Sequence, residues 1–192
     1  MKRKMRYVFE VSEKNLETER MILRPWKNSD LHDLYAYASV IGVGEMAGWK
    51  HHKNLKDSRA VLFNFMVNKN VYAIELKSSQ KVIGSIGVEK IYNNYLGYQY
   101  KNLSGRELGF VLNKDYWGQG LVAEAVAKVV EHLFESFKFD YLLCAHFKNN
   151  NQSKRVIEKL GFNYVKEISF PTLFNLQERA LIYVKDNPNL VY

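Results

Sequence analysis

The run Glu107-Leu-Gly-Phe-Val-Leu-Asn-Lys-Asp-Tyr-Trp-Gly-Gln-Gly-Leu-Val-Ala-Glu-Ala125 constrains this chain more than any other stretch. Arg106–Leu112 alternates as a strand does, a short loop carries Gly118 and Gly120, and helical spacing then takes over from Leu121 through Val122, Val126, Val129, Leu133 and Phe137. A strand that enters a helix this way leaves unpaired N–H groups at the positive end of a helix dipole, where anions, most often phosphates, bind. The same two glycines would also serve a tight connection with no ligand, and spacing alone weighs the two readings equally. Alternation sets Leu108, Phe110 and Leu112 on one side of the strand and Glu107, Gly109 and Val111 on the other. Glu107 thus points away from the bulkier set.

The flanking segments read in the same way. Met21–Leu23 is a strand ended by Arg24 and Pro25, and Asn28, Ser29 or Asp30 caps a helix with Leu31, Leu34, Tyr35 and Ala38 on one face. A second helix suits Leu55 to about Val67. Val71–Leu76 and Val82–Val88 are strands across a polar connection of hairpin length. Tyr141–Phe147, Phe162–Ile168 and Arg179–Val184 complete the strands, with a helix over Gln152–Leu160 stopped by Gly161. The pattern predicts an α/β (α+β) domain over residues 17–187: a mixed sheet of about seven strands with helices on both faces, an N-terminal extension at 1–16 and a tail at 188–192.

A chain of 192 residues with 47% hydrophobic content hides about 70% of its unfolded surface on folding, so no disulfide or structural metal is needed. Cys144 is the only cysteine, which excludes an intrachain disulfide, a CxxC pair and a thiolate zinc site and fits a reducing, cytoplasmic compartment. In its apolar strand it reads as a small core residue. No secretory signal and no bilayer-length apolar run is present, so no membrane partner is expected. His32, His132 and His146 stand isolated, and no metal is expected. The net charge of +8, from 28 Lys+Arg against 20 Asp+Glu, is spread along the chain among acids; this describes solvated faces and not a nucleic-acid footprint.

About 30 residues after the glycine loop, Lys148-Asn-Asn-Asn-Gln-Ser-Lys-Arg-Val-Ile-Glu-Lys-Leu-Gly-Phe162 places polar amides where a strand meets another helix. Two adjacent strands would each end at a helix N-terminus. The crevice between them suits a long ligand with phosphates at one end and amides at the other.

At this point the chain resembles the GNAT superfamily of acyl-CoA-dependent N-acetyltransferases, and within it the branch of ribosomal-protein N-terminal (alanine/serine) acetyltransferases. Thr18-Glu-Arg-Met-Ile-Leu-Arg-Pro-Trp26, Glu107-Leu-Gly-Phe110, Trp117-Gly-Gln-Gly-Leu-Val-Ala-Glu-Ala125 and Asn150-Asn-Gln-Ser153 running into Lys159-Leu-Gly-Phe162 carry the likeness, in order, over roughly residues 17–185. The resemblance implies a mostly antiparallel sheet, acetyl-CoA as co-substrate and an amine acceptor, either a protein N-terminus or a small molecule such as a polyamine, amino sugar or amino acid. A non-catalytic acyl-CoA-binding or ribosome-associated module is the competing class. Monomer and homodimer are both open.

The resemblance also assigns residues. Trp117, Gly118, Gln119, Gly120, Leu121, Val122 and Ala123 would form the pyrophosphate loop, with Trp117 where the family's Gln/Arg-x-x-Gly-x-Gly/Ala signature has Gln or Arg and Val122 at its last small position. The strand at Phe110, Val111 and Leu112 would splay from its neighbour and hydrogen-bond the pantetheine arm, and Asn150 would meet pantetheine amides from the other side. Many members carry a tyrosine that protonates the leaving thiolate; Ile157 stands there, which moves the role to Ser153. Glu107 is the candidate base, with a surface or salt-bridged carboxylate as the plain alternative, and N–H from Phe110 or Val111 would stabilise the oxyanion. Trp49, His51 and His52 lie in the loop that would border the acceptor pocket, and each reads more readily as loop packing, about two to one. Gly42-Val-Gly-Glu-Met-Ala47 matches a dinucleotide fingerprint but follows a helical region, not a strand, and is rejected. Tyr92, Tyr95, Tyr98 and Tyr100 form an aromatic stretch readable as a substrate rim, a dimer contact or a hairpin covering its own edge.

Overall fold

In the computed structural model, Glu10 and residues 15–91 and 96–189 are described; the sequence readings for Tyr92, Tyr95, most of the N-terminal extension and the end of the tail lie outside them. The strands are β1 (Leu16–Glu17), β2 (Met21–Arg24), β3 (Val71–Leu76), β4 (Lys81–Glu89), β5 (Gly105–Leu112), β6 (Tyr141–Phe147), β7 (Asn163–Pro171) and β8 (Gln177–Asp186). The helices are α1 (Leu31–Ala38), α2 (Leu55–Asn68), α3 (Leu121–Glu135) and α4 (Asn151–Lys159). One sheet runs β1-β2-β3-β4-β5-β6-β8-β7. Every adjacent pair is antiparallel except the parallel pair β5–β6.

Eight strands stand where the sequence predicts about seven, and the additional one is β1, whose two residues are too short to show a period. It begins inside the stretch read as an extension. Arg24, read as ending its strand, is the last residue of β2. No helix among the described residues is long and apolar enough to cross a membrane.

Alternation along the strands divides the core. Tyr72, Ile74, Ile86, Leu108 and Cys144 pack on one side with Leu121, Val126, Val129 and Leu133 of α3 and Ile157 of α4. Val71, Ala73 and Val82 pack on the other with Leu34, Tyr37 and Ala38 of α1 and Leu62 of α2. The sequence expectation of helices on both faces follows from this split, because each strand face needs an apolar cover.

The functional geometry comes from one interruption. β5 and β6 pair from Gly105↔Tyr141 to Leu108↔Cys144 and no further, whereas β4 holds β5 through Leu112 and β8 holds β6 through Phe147. The upper halves of β5 and β6 therefore flank a cleft, as the resemblance implies.

A buried ionic knot fixes the sheet's other flank. Arg24 donates to both Asp30 oxygens at 2.8 and 2.9 Å and to Glu75 at 2.5 Å, and Asp30 also accepts the Lys27 N–H at 2.8 Å. Arg24 and Asp30 are each 5% exposed, so deleting the guanidinium would strand two carboxylates in a dry site. Arg24→Met is expected to destabilise the fold by roughly 3–5 kcal/mol, with Arg24→Lys failing to restore it because a single ammonium cannot span both partners. Urea denaturation reads this out; a loss under about 1 kcal/mol would show the knot to be a surface-like pair.

Candidate functional site

The cleft opens into a groove of about 340 Å³, within the range of small-molecule sites. Its walls bring together Phe110, Val111 and Leu112 of β5, Trp117, Gly118, Gly120, Leu121, Val122 and Ala123 of the loop and α3, Asn150, which caps α4, and Ser153 within it. Those residues are eleven of the twelve that the sequence marks for the co-substrate.

The glycine loop is shaped by backbone need. Gly118 and Gly120 have φ of 76° and 74°, a left-handed region that costs other residues roughly 1–2 kcal/mol. Among the described residues, no protein acceptor meets the N–H groups of Gly118 to Ala123. They converge at the start of the fifteen-residue α3, where the dipole adds partial positive charge. Such a set of N–H groups suits an anion.

Trp117 braces the loop. Its indole N–H donates to the Leu112 carbonyl at 2.8 Å, tying the end of β5 to the turn. Gln119 departs from expectation: it is exposed, absent from the groove wall, and its side chain donates to the Asp115 carbonyl at 3.3 Å. Its carbonyl instead accepts from Arg20 at 3.0 Å. Arg20 also grips Glu124 at 2.7 Å, pinning the first turn of α3.

The free edge of β5 is chemically specific. The Asn113 N–H donates to the Ile83 carbonyl, and antiparallel alternation turns the Val111 and Gly109 N–H groups toward β4 as well. The Phe110 N–H and carbonyl consequently face the cleft. Of the two residues read as oxyanion donors, only Phe110 presents its N–H there.

Asn150 is 6% exposed and already employed: its Oδ1 accepts the Ser153 N–H at 3.1 Å and its Nδ2 donates to the Met46 carbonyl at 3.3 Å. It therefore both caps α4 and ties that helix to the α1–α2 loop. The Ser153 hydroxyl faces the groove with no protein hydrogen bond among the described residues.

Glu107 is not on the groove wall. It lies on β5 two residues before Gly109, one strand turn below the point of parting. Burial, and then the like charge of Glu89, pushes its carboxyl above the ordinary range. No salt bridge reaches it among the described residues. Trp49 and His51 are also off the groove. Trp49 packs on Gly44 and the His52 ring, and His51 bonds Glu45 at 2.8 Å. His52 is buried against the Ser58 hydroxyl at 2.7 Å. Burial raises the Glu45 carboxyl, yet hydrogen bonds from His51 and from backbone N–H groups, the Gly42 N–H among them, outweigh it and hold the group at about 2.

That loop contributes other residues. Val43, Met46 and Ala47 line the groove, joined by Tyr116, Gln152, Arg155 and Val156. Positions 152, 153, 155 and 156 share one helical face, a spacing the sequence carries; nothing periodic links residues 43–47 to the groove. Those residues follow α1 and open only a three-residue turn, in keeping with the rejection of the dinucleotide motif.

The acetyltransferase (GNAT) domain model matches residues 20–163. Among curated relatives, the uncharacterized N-acetyltransferase YoaA of Bacillus subtilis is 23% identical over 152 residues, covering 77% of this chain and 81% of YoaA. A GNAT-family acetyltransferase from Bacillus anthracis superposes with a TM-score of 0.79 at 19% identity, covering 91% of this chain and 99% of that one. A ribosomal-protein-S5-alanine acetyltransferase from Vibrio fischeri gives 0.72 at 17% identity, covering 93% of this chain and all of its own.

The two kinds of glycine in this site are expected to respond differently to a methyl group. An added Cβ at Gly120 meets nothing nearer than Arg20 at 3.8 Å, and at Gly109 nothing within 4 Å, so space is available at both. Gly120→Ala should nevertheless cost about 1–2 kcal/mol from its left-handed backbone, while Gly109→Ala stays within about 0.5 kcal/mol. Equal losses in urea denaturation would refute the conformational role of Gly120.

Proposed function

The chain belongs to the GNAT acetyltransferase family, and we propose that it transfers the acetyl group of acetyl-CoA directly to a primary amine. One observation carries the reading: the unpaired edge of β5 runs straight into an unpaired N–H cradle at the start of α3. An extended amide-bearing arm fits the first and a diphosphate fits the second. Acetyl-CoA, when bound, supplies an acyl group activated as a thioester.

The chain's own groups have separable tasks. The N–H groups from Gly118 to Ala123 hold the diphosphate, and the Phe110 N–H faces the carbonyl oxygen as it gains negative charge. Gly109 lacks a side chain and is exposed, leaving a notch through which the amine reaches the thioester. Glu107 removes the ammonium proton, directly or through a water, and its raised proton affinity suits that task better than an ordinary carboxylate. The Ser153 hydroxyl donates a hydrogen bond to the departing sulfur.

A protein N-terminus is the first acceptor to test, supported by the shared fold with the S5-alanine acetyltransferase; small amines are the alternative. The discriminating experiment incubates the protein with acetyl-CoA and a side-by-side panel of N-terminal peptides and small amines, reading free thiol. Thermal stabilisation by CoA with no turnover on any acceptor would favour a binding module.

Glu107→Gln is expected to lower kcat by roughly 10²–10⁴-fold with CoA affinity unchanged, and an unchanged rate removes Glu107 from the mechanism. Ser153→Ala should slow turnover less; a defect confined to CoA binding would reduce its role to cofactor contact. Because the Glu107 carboxyl is raised by burial and acts deprotonated, kcat/KM should fall with acid already above the normal carboxylate range. A limb at the ordinary glutamate value would contradict that assignment.

A further inference from the structure

Glu89 is absent from any motif, yet the sheet sets it directly opposite Glu107 in the β4–β5 register. By the alternation fixed at Asn113 and Ile83, this is a hydrogen-bonded antiparallel pair, whose Cα atoms lie about 5.5 Å apart with both side chains on one face. Opposed like charges destabilise a sheet, so the pairing calls for a purpose. Asn70 donates to Glu89 at 2.6 Å and anchors it. The next pair on that face is Gly87 and Gly109: the Glu89 carboxylate lies 3.6 Å from where a Gly87 Cβ would stand, and the space above Gly109 is open. The two carboxylates thus border the bare patch of sheet where the strands begin to part.

Their surroundings contain little to neutralise them. Leu143 of β6 is the other neighbour of Glu107 in register; Cys144, beside it, has its thiol pushed up by burial and then by Glu107. Neither carboxylate forms an ion pair with a lysine, arginine or histidine among the described residues. Glu89 is exposed as a residue, yet partial burial of its carboxyl raises it, with Asn70 opposing. For Glu107, burial acts first and Glu89 second.

We infer that Glu89, held by Asn70 across the strand pair from Glu107, is a positioning residue whose charge faces the base and matches the site to an acceptor arriving as an alkylammonium. This rests on the acetyl-transfer reading. The ammonium brings the missing positive charge and gives one proton to Glu107; the freed lone pair forms the C–N bond to the acetyl carbon. The C–S bond breaks with its electron pair on sulfur, the second nitrogen proton reaches that thiolate through Ser153 or solvent, and Glu107 returns its proton to solvent. The products are an N-alkylacetamide, CoA thiol and one proton. A neutral arylamine brings no such charge, so Glu89 has less to offer it.

The test follows the full-length protein in two ways. Carboxylate NMR with ¹³C-labelled glutamate tracks Glu107 against pH in the wild type and in Glu89→Gln, with Glu89→Asp as the charge-retaining control. Removing the opposing negative charge makes ionisation of Glu107 easier, so its midpoint should move to lower pH in Glu89→Gln and stay near wild type in Glu89→Asp. Kinetics with 1,4-diaminobutane and an alanyl dipeptide should show the acid limb of kcat/KM moving the same way. KM for the better of the two is expected to rise on the order of tenfold, with KM for acetyl-CoA unchanged and any aniline turnover falling clearly less. A Glu107 midpoint that Glu89→Gln does not move overturns the proposal, as does an equal loss toward alkylamine and aniline, which marks a merely structural role. If no amine releases thiol, the acetyl-transfer reading falls; the NMR midpoints still decide whether the two carboxylates form a pair.

Discussion

The constraint on which this architecture depends is the failure of β5 and β6 to stay paired beyond Leu108 and Cys144. Parting two strands at the centre of a sheet exposes backbone donors and acceptors, each costly if left unmet by protein, water or ligand. The chain keeps them apart mechanically. The short turn Glu45–Ala47 packs against both strands, Asn150 ties that turn to α4 through the Met46 carbonyl, and Trp117 takes the Leu112 carbonyl, one of the acceptors the parting frees. Among the described residues the Phe110 N–H and carbonyl are part of what remains unmet, facing the cleft beyond the point where pairing stops.

Electrostatics extends the same logic along the groove. The cradle N–H groups and the α3 dipole supply positive potential, and Arg20 adds a full charge beside Gly120 while clasping Glu124. For Glu124, burial raises the carboxyl, but bonds to Thr18 and Arg20 prevail and lower it; it thus stays ionised in the helix's first turn, where negative charge is favourable. Arg155 stands on the groove wall from the side of α4. A chain-wide charge of +8 looked featureless in sequence because these cations come from distant segments, and folding concentrates a few of them at one mouth.

Legibility in the sequence followed local periodicity. The passage from β5 through Gly118 and Gly120 into α3 could be read because a period of two changes to one of 3.6 within a few residues. Leu108 and Glu107 could be assigned to opposite faces for the same reason. Gln119 could not be distinguished from its neighbours: a loop position has no period, and its outward turn depends on Asp115 and Arg20. Trp49, which packs on Gly44, and His51, which bonds Glu45, were read for the acceptor side, while Val43 and Met46, which carry no periodic signal, reach the groove. Glu89 stayed invisible since an eighteen-residue separation carries no signal until the β4–β5 register is known.

The division of the sheet into two faces then explains why so few groups are needed. α3 and α4 cover one face and provide both helix starts that the groove uses; α1 and α2 cover the other, which also bears Glu107. In the proposed reaction the acyl donor lies along the first and the amine arrives from the second. A continuous sheet would separate them by its full thickness. Here the strands part at the residue after Leu108, and that residue is a glycine with open space where a side chain would stand. In that reading nucleophile and carbonyl meet at the sheet's own mid-plane, two residues along β5 from a carboxylate whose burial keeps it basic. Proximity of this kind is worth many orders of magnitude in rate, and in the proposed reaction it arises from where pairing stops and a side chain is missing.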